Sequence, residues 1–236
     1  MPSLVLLRHG QSQWNLENRF TGWVDVDLTA EGEAQASKGG ALIKAAGLHV
    51  DKAYTSVLKR AQRTGALAMA AAGQGDIAFT NDWRLNERHY GGLTGLNKAE
   101  TAAKHGDDQV TIWRRSYDVP PPPLAAGGEW DFSADARYAG KAIPDTESLK
   151  TTLDRVEPYW TSDIAPHLKA GETVLVAAHG NSLRAIVKLL FGVPDSDIVG
   201  VEIPTGNPLV IELDEGLKPT SARYLDADRA QPLPAI

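Results

Sequence analysis

The chain has 236 residues, 42% of them hydrophobic and 23% charged, which is typical of a soluble globular protein large enough for one α/β domain. It contains no cysteine, which excludes disulfides, thiolate metal sites and cysteine nucleophiles and fits a reducing cytosol. Because the net charge is −6 and no apolar stretch approaches the ~18–20 residues that span a bilayer, we expect a cytoplasmic protein without nucleic-acid or membrane partners.

An apolar run near the start of the chain, residues 4–7, leads directly into Arg8, His9 and Gly10. A short apolar run bounded by glycine predicts a buried strand, which here delivers a cation and an imidazole to its end. Imidazole is a capable nucleophile near neutral pH, and arginine binds phosphate oxygens in a fork geometry. We therefore predict that His9 attacks an anionic group, and phosphate is the anion that suits Arg8 best.

The next elements alternate between helix and strand. The pattern predicts a helix over about 30–46 capped by Thr29, a strand at 52–55, a helix opening at Ser56 and a strand at 77–80. Residues 84–96 are rich in glycine and polar side chains, which is typical of a functional loop.

The second half continues the alternation after a long interruption. The pattern predicts helices from Asn97 to about 105 and over about 107–116, followed by a helical stretch over 146–169 that is broken at Pro158 and Pro166. It then predicts a strand at 173–178, a helix at 182–191, and strands at 208–213 and about 222–225. Residues 117–145 form an irregular excursion of the kind used as a wall or lid, and a short tail begins at about 226.

Strands that alternate with helices predict the fold class. We expect an α/β protein in which residues 1–236 form a single-domain, three-layer α/β/α sandwich with a mostly parallel sheet and helices on both faces. No linker divides the chain into separate domains.

A second predicted strand also ends in a histidine followed by a glycine. The apolar run at 173–178 leads into His179, Gly180 and Asn181. Ligands of open α/β sheets bind outside the carboxyl ends of the strands, so His9 and His179 are expected in one site, with His179 donating a hydrogen bond to the phosphoryl group in flight. Zinc is the competing interpretation for two histidines, but the chain has no His-Glu-x-x-His pattern and no Asp-rich cluster nearby, so we expect no metal.

Other charged residues lie beside these strand ends. Arg60 lies near the start of a helix that follows a strand, a position that favours anion binding. Glu87 is the best candidate for a general acid/base because it is the one carboxylate in a polar, glycine-rich loop. The remaining cations beside the candidate loops are Lys98, Arg114 and Arg115.

Taken in order, these residues resemble the cofactor-dependent phosphoglycerate mutase family of the histidine phosphatase superfamily. The matching blocks are Arg-His-Gly-Gln-Ser-Gln-Trp-Asn (8–15), Asn-Arg-Phe-Thr-Gly-Trp (18–23), Tyr-Thr-Ser-Val-Leu-Lys-Arg-Ala (54–61), Leu-Asn-Glu-Arg-His-Tyr-Gly (85–91), Gly-Leu-Asn-Lys-Ala-Glu-Thr (95–101), Trp-Arg-Arg (113–115), Ala-His-Gly-Asn-Ser-Leu-Arg (178–184) and Ile-Pro-Thr-Gly (203–206). The first block alone indicates only the superfamily, whereas the blocks at 85–91, 95–101 and 113–115 indicate the mutase branch.

The resemblance implies a reaction and a role for each residue. It implies interconversion of 3-phosphoglycerate and 2-phosphoglycerate, primed by 2,3-bisphosphoglycerate as cofactor. His9 would become phosphorylated, Glu87 would transfer the proton, and His179 would stabilise the transition state. The implied substrate-holding residues are Arg8, Ser12, Asn15, Thr21, Gly22, Arg60, Arg88, Tyr90, Lys98, Arg114, Arg115, Gly180 and Asn181.

The chain departs from the family in two places. Position 11 is Gln where the family often has Glu, a change that we do not expect to remove activity. The tail is short and contains two prolines, whereas many family members carry a longer tail that closes over the site. A phosphatase of the same superfamily, in which water replaces the second hydroxyl, and a non-catalytic phosphate-binding protein are the alternatives. A homodimer or a homotetramer is compatible with the resemblance, and the sequence does not choose between them.

Overall fold

A six-stranded sheet forms the centre of the structure, a computed structural model that describes residues 2–236. The strands are β1 (Ser3–Arg8), β2 (Lys52–Thr55), β3 (Phe79–Asn81), β4 (Thr173–Ala178), β5 (Leu209–Leu213) and β6 (Pro219–Tyr224). Their order is β3-β2-β4-β1-β5-β6; the first four strands are parallel, and β5 is antiparallel to both of its neighbours. The predicted mostly parallel sheet is therefore confirmed.

Helices cover both faces of this sheet. They are α1 (Gln13–Leu16), α2 (Ala30–Ala45), α3 (Lys59–Ala71), α4 (Lys98–His105), α5 (Asp107–Arg115), α6 (Leu149–Tyr159), α7 (Ala165–Lys169) and α8 (Gly180–Phe191). Short 3-10 turns lie at Trp83–Leu85, Gly91–Leu93, Ala136–Tyr138, Ile198–Gly200 and Ala227–Arg229, and a π-helical turn, Trp160–Ile164, joins α6 to α7. Within residues 2–236, no helix is both long and apolar enough to cross a lipid bilayer.

The hydrophobic core lies in two layers because side chains alternate across a strand. On β1, Leu4 and Leu6 pack with residues of α6, α7 and α8, whereas Val5 and Leu7 pack with residues of α2 and α3 on the opposite face. All four side chains are fully buried. This arrangement confirms the three-layer α/β/α architecture and explains why the interiors of β1 and β4, residues 4–7 and 174–178, are apolar.

Some element boundaries differ from those expected. Thr29 caps α2 as predicted, because its hydroxyl accepts a hydrogen bond from the Gly32 N–H. The helix expected to open at Ser56 begins instead at Lys59, since the Ser56 hydroxyl is hydrogen-bonded to His179 and to the Leu58 N–H. The helix expected from residue 182 begins two residues earlier, directly after His179.

The irregular excursion over 117–145 is anchored to the loops around the site by aromatic contacts. The Tyr138 ring is buried, lies 4.7 Å from the Trp23 ring, and its hydroxyl accepts a hydrogen bond from Asn86 Nδ2 at 2.9 Å. Trp130 packs edge-on against Trp14, with ring centroids 5.3 Å apart. The excursion therefore forms a wall, one of the two roles expected for it.

The tail begins beside the C-terminal end of β1 and reaches the far end of α8. Arg229 Nη2 donates a hydrogen bond to the Thr205 carbonyl at 2.7 Å, and Thr205 pairs with Arg8, the residue before His9. Beyond it, Leu233 packs on the core, and Ile236 lines the same groove as Phe191, at the end of α8 opposite His179. The last residues of the tail therefore lie at the far end of α8.

Small residues let α2 and α3 approach closely. A Cβ built on Gly40 of α2 would lie 2.0 Å from the carbonyl oxygen of Ala68 on α3. Because that oxygen belongs to helical backbone, it has no side-chain rotamer with which to move away. Glycine is therefore required at this crossing by space rather than by backbone conformation.

We predict that Gly40→Ala destabilises the protein although alanine favours helices. Forced separation of α2 and α3 should cost about 1–3 kcal/mol, more than the gain of about 1 kcal/mol in helix propensity. Urea unfolding measures the change. Gly200→Ala is the matched control because a Cβ there meets no atom within 4 Å. A Gly40→Ala protein at least as stable as wild type would contradict this packing argument.

Candidate active site

The parallel pairing of β1 with β4 brings the two predicted histidines together. Arg8 is opposite Ala178 in the register, so His9 and His179 leave the same edge of the sheet side by side. Their ring centroids are 5.1 Å apart and both residues are buried. The two strand ends therefore bring the histidines next to each other, as expected for a common site.

His9 is held as a neutral imidazole with one nitrogen free. Its Nδ1 lies 2.7 Å from the Gly10 carbonyl oxygen, which can only accept, so Nδ1 carries the proton and Nε2 keeps its lone pair. Burial, together with the positive charges of Arg60 and Arg8, lowers the pKa of His9 well below its usual value. At neutral pH, Nε2 is thus available as a nucleophile.

His179 is oriented by a residue that sequence reasoning did not assign to the site. Its Nε2 lies 2.7 Å from the hydroxyl oxygen of Ser56, which also accepts from the Leu58 N–H. The other ring nitrogen, Nδ1, is buried and has no hydrogen-bond partner among residues 2–236. Burial and Arg60 lower the pKa of His179 well below its usual value. The ring is therefore neutral at neutral pH, and a neutral imidazole carries one N–H donor and one acceptor nitrogen.

Hydrogen bonds hold both the carboxylate and the backbone carbonyl of Glu87. Its Oε1 accepts hydrogen bonds from the N–H groups of Arg88 at 2.7 Å and Asn181 at 3.1 Å. Its carbonyl oxygen accepts from Trp23 Nε1 at 2.7 Å and from Arg155 Nη2 at 2.9 Å. The carboxylate is thereby held at the N-terminus of α8, within the cavity wall.

The loop that carries Glu87 depends on a buried ion pair that the sequence did not reveal. Arg155 Nε donates to Glu147 Oε1 at 2.7 Å, and both side chains are buried. Glu147 Oε2 also accepts from the His89 N–H, and Arg155 donates to the Asn86 carbonyl. The two residues lie eight positions apart around the start of α6, with no motif to connect them to the loop.

His9 and Glu87 border a cavity whose lining is rich in cations. It consists of two adjoining compartments of about 90 and 50 Å³, whose shared walls include Arg8, Glu87 and Lys98. Four arginines nearby have at least one buried side-chain nitrogen without a partner among residues 2–236: Arg8, Arg60, Arg88 and Arg184. Because buried charges are costly unless paired, this arrangement suits an anion with several oxygen atoms.

Most of the predicted site residues line this cavity. They are Arg8, His9, Asn15, Thr21, Arg60, Glu87, Tyr90, Lys98, Arg114, Arg115, Gly180 and Asn181. Space does not require glycine at 180, since a Cβ there would lie 3.5 Å from the Arg8 guanidinium, an ordinary van der Waals distance.

Four predicted residues support the cavity without lining it. Ser12 caps α1 and is hydrogen-bonded to Asn15. The Gly22 carbonyl accepts from Arg60 Nη2 at 2.8 Å. Arg88 lies over the Tyr90 ring and donates to the Arg114 carbonyl. His179 lies beside His9.

Three charged residues of the lining were not predicted: Arg19, Arg184 and Glu202. Arg184 donates from Nη1 to Asn181 Oδ1 at 2.9 Å. Its spacing of three residues from Asn181 on a helix was the signal that could have identified it. Glu202 has no such signal, because it reaches the cavity only through the fold.

No other region of the described chain combines these features. A larger groove of about 650 Å³ lies at the far end of α8, but its lining is mostly apolar and contains no histidine. Within residues 2–236, no group of three or more His, Asp or Glu side chains is placed to hold a metal ion. The cavity beside His9 and Glu87 is therefore the candidate active site.

Comparisons with known proteins agree with the geometry. The family model described as histidine phosphatase superfamily (branch 1) matches residues 4–224. A 2,3-bisphosphoglycerate-dependent phosphoglycerate mutase from a Caulobacter species is 79% identical over 100% of both chains, and one from Hyphomonas neptunium is 63% identical over 100% of both. In fold, the phosphoglycerate mutase from Bacillus anthracis is similar, with a TM-score of 0.67 at 19% identity, over 94% of this chain and 90% of that chain.

We predict that acid destabilises the protein through its buried histidines. Burial lowers the pKa of His89 to about 4, so between pH about 6.5 and 4 the unfolded chain binds a proton there that the folded chain does not. The free energy of unfolding should fall as the pH falls through this window, by up to about 1.4 kcal/mol per pH unit for this histidine.

Urea unfolding of wild type and His89→Asn between pH 7.5 and 5.5 measures this contribution. Asparagine can still accept the hydrogen bond that His89 Nδ1 receives from the Gly91 N–H, but it does not titrate. The variant should therefore show a shallower dependence of stability on pH, whatever its absolute stability. Equal slopes for the two proteins would contradict the prediction.

Proposed function

The chain belongs to the histidine phosphatase superfamily (branch 1), and we propose that it is an enzyme that interconverts 3-phosphoglycerate and 2-phosphoglycerate through a phosphohistidine. The observation that carries the proposal is the neutral His9, whose Nε2 is free beside a cavity lined by cations and by Glu87. The names of relatives that are 79% and 63% identical over their full lengths support the same reaction.

We assign the phosphoryl group to His9 Nε2. In the transfer, the hydroxyl oxygen of a bound phosphoglycerate forms a bond to phosphorus as the Nε2–P bond breaks, and the electron pair returns to the imidazole. Phosphoryl transfer of this kind depends mainly on positioning and on charge stabilisation. We propose that His179 donates a hydrogen bond to the phosphoryl group during the transfer.

Glu87 is the proposed acceptor of the hydroxyl proton. Its carboxylate is held by two backbone N–H groups, Arg88 and Asn181, on one oxygen. The other oxygen, Oε2, lies close to Gly180 and faces the cavity wall, free of these bonds. In the reverse direction the same group returns the proton to the leaving oxygen, so one residue serves as base and acid.

The charge of the cavity matches two phosphates better than one. Each phosphate monoester carries about −1.5 to −2 at neutral pH, so a bisphosphorylated carboxylic acid carries roughly −4 to −5. The two compartments together carry a formal net charge of +5. Their cations are Arg8, Arg19, Arg60, Lys98, Arg114, Arg115 and Arg184, and their carboxylates are Glu87 and Glu202. Since these cations can stabilise the charge on the transferring group, we propose that no metal ion takes part.

The same residues fit 2,3-bisphosphoglycerate as the priming cofactor. The unpartnered nitrogens of Arg8 and Arg184 and the cations from α4 and α5 would hold its two phosphates and its carboxylate. When bound, it supplies the phosphoryl group that first charges His9.

The remaining proposals concern the protein as a whole. We propose that residues 1–236 act as one domain, which is supported by a single sheet whose central strands β1 and β4 come from distant parts of the chain. We also propose a cytoplasmic location, phosphoglycerates as the only class of partner besides further copies of the chain, and a homodimer or homotetramer.

A coupled assay with 3-phosphoglycerate, with and without catalytic 2,3-bisphosphoglycerate, tests the function. We expect turnover to depend on the bisphosphate. After incubation with labelled 2,3-bisphosphoglycerate, the wild-type protein should carry an acid-labile, alkali-stable phosphoryl label. His9→Ala should lose both turnover and label while it remains folded, because His9 lies at a strand end rather than in the core. Release of inorganic phosphate without 2-phosphoglycerate would indicate a phosphatase, and label retained on His9→Ala would refute the nucleophile assignment.

Glu87→Gln should lower kcat by ~10²–10⁴-fold while KM changes little. The amide oxygen of glutamine can still accept from the two N–H groups, so the loop keeps its position, but the amide cannot take the hydroxyl proton. Steady-state kinetics measure kcat and KM separately. Glu100→Gln, at an exposed position on α4, is the control. Wild-type kcat in Glu87→Gln would mean that the residue only supports the loop.

A further inference from the structure

We propose that Glu202 competes with the substrate for the cavity arginines and thereby weakens the binding of the most highly charged ligand. Its carboxylate accepts a hydrogen bond from Arg115 and lies near Arg8. Both cations are ones that an incoming anionic ligand would bind. This inference rests on the proposed function of the cavity and identifies a residue that sets its selectivity among anions.

The geometry places Glu202 inside the cation-lined compartment. Arg115 Nη2 donates to Glu202 Oε2 at 3.0 Å, and Arg8 Nη1 lies 4.0 Å from Glu202 Oε1. Glu202 lines the same compartment as Glu87, Lys98 and Arg114. An anion that reached Arg115 would therefore meet a carboxylate already bound there.

The side chain of Glu202 can leave while its backbone stays in place. The backbone is fixed, because the Glu202 carbonyl accepts from the Tyr224 hydroxyl and the next residue, Ile203, accepts from Arg8 Nη1. The carboxylate itself has only Arg115 as a hydrogen-bond donor, and the side chain is 46% exposed. Glu87, in contrast, is buried and held by two backbone N–H groups.

Glu202 carries its charge at neutral pH. Although burial opposes this, the Arg115 and Arg8 guanidinium groups hold the pKa of Glu202 below its usual value. A partly exposed ion pair is weak, so a ligand can displace the carboxylate at little cost. The displaced charge nevertheless remains beside the cavity, where it repels a bisphosphorylated ligand more strongly than a monophosphorylated one.

Two roles for Glu202 predict opposite results. If Glu202 competes with the ligand, removing its charge tightens anion binding. If Glu202 instead positions Arg115 for the ligand, removing its charge loosens anion binding. Glu202→Gln separates the two roles, because the amide oxygen can still accept from Arg115 while the negative charge is gone.

The experiment compares wild type, Glu202→Gln and the control Glu215→Gln, a matched substitution at an exposed position beyond β5. In Glu202→Gln we expect the half-saturating concentration of 2,3-bisphosphoglycerate to fall about 5–20-fold and KM for 3-phosphoglycerate to fall about 3-fold, with kcat within about 2-fold. These differences should shrink at high salt, because the effect is a screened charge interaction. Unchanged or raised constants would overturn the proposal.

Calorimetric titration with inorganic phosphate keeps this test separate from the proposed function. Phosphate should bind Glu202→Gln more tightly than wild type, and this measurement requires no turnover. Tighter phosphate binding in a protein without mutase activity would refute the proposed function but support the role of Glu202. Normal mutase activity with identical phosphate affinities would support the function and refute the role of Glu202.

Discussion

The parallel pairing of β1 with β4 is the constraint on which the rest of the site depends. It fixes Arg8 opposite Ala178, so the two histidines must emerge at one edge of the sheet, with rings 5.1 Å apart. Because both strands lie between two layers of helices, the histidines start from a buried position. Burial and nearby arginines then lower the pKa of His9, which keeps a lone pair on Nε2, the proposed nucleophile, at neutral pH.

The cavity gathers positive charge that the fold only partly satisfies. Arg60 donates to the carbonyls of Gly22 and Val24, and Arg184 donates to the carbonyl of Ile198, so each guanidinium is held by backbone oxygens on one side. Their Nε atoms have no partner in the protein. Such incomplete pairing lowers the stability of the folded protein but suits a site for a multiply charged anion. Binding sites commonly sacrifice stability for function in this way.

The two carboxylates of the cavity illustrate how local packing decides a role. Glu87 is buried, held by backbone N–H groups and fixed through Trp23 and Arg155, so it can act at a constant position. Glu202 is half exposed and held only by an arginine, so it can move aside. The wall built by the 117–145 excursion reinforces this difference, because Tyr138 packs on Trp23 and thus supports the loop of Glu87.

The sequence by itself determined the alternation of strands and helices, the two strand ends with His9 and His179, and most of the cavity lining, because these features are encoded in short contiguous patterns. It misplaced the start of α3, since a hydroxyl expected at a helix terminus is instead used by His179. Only the tertiary structure decided the roles of Ser56, Arg155 and Glu202. Each acts on a residue more than 60 positions away, and contacts over such distances arise from how the layers pack rather than from any local pattern.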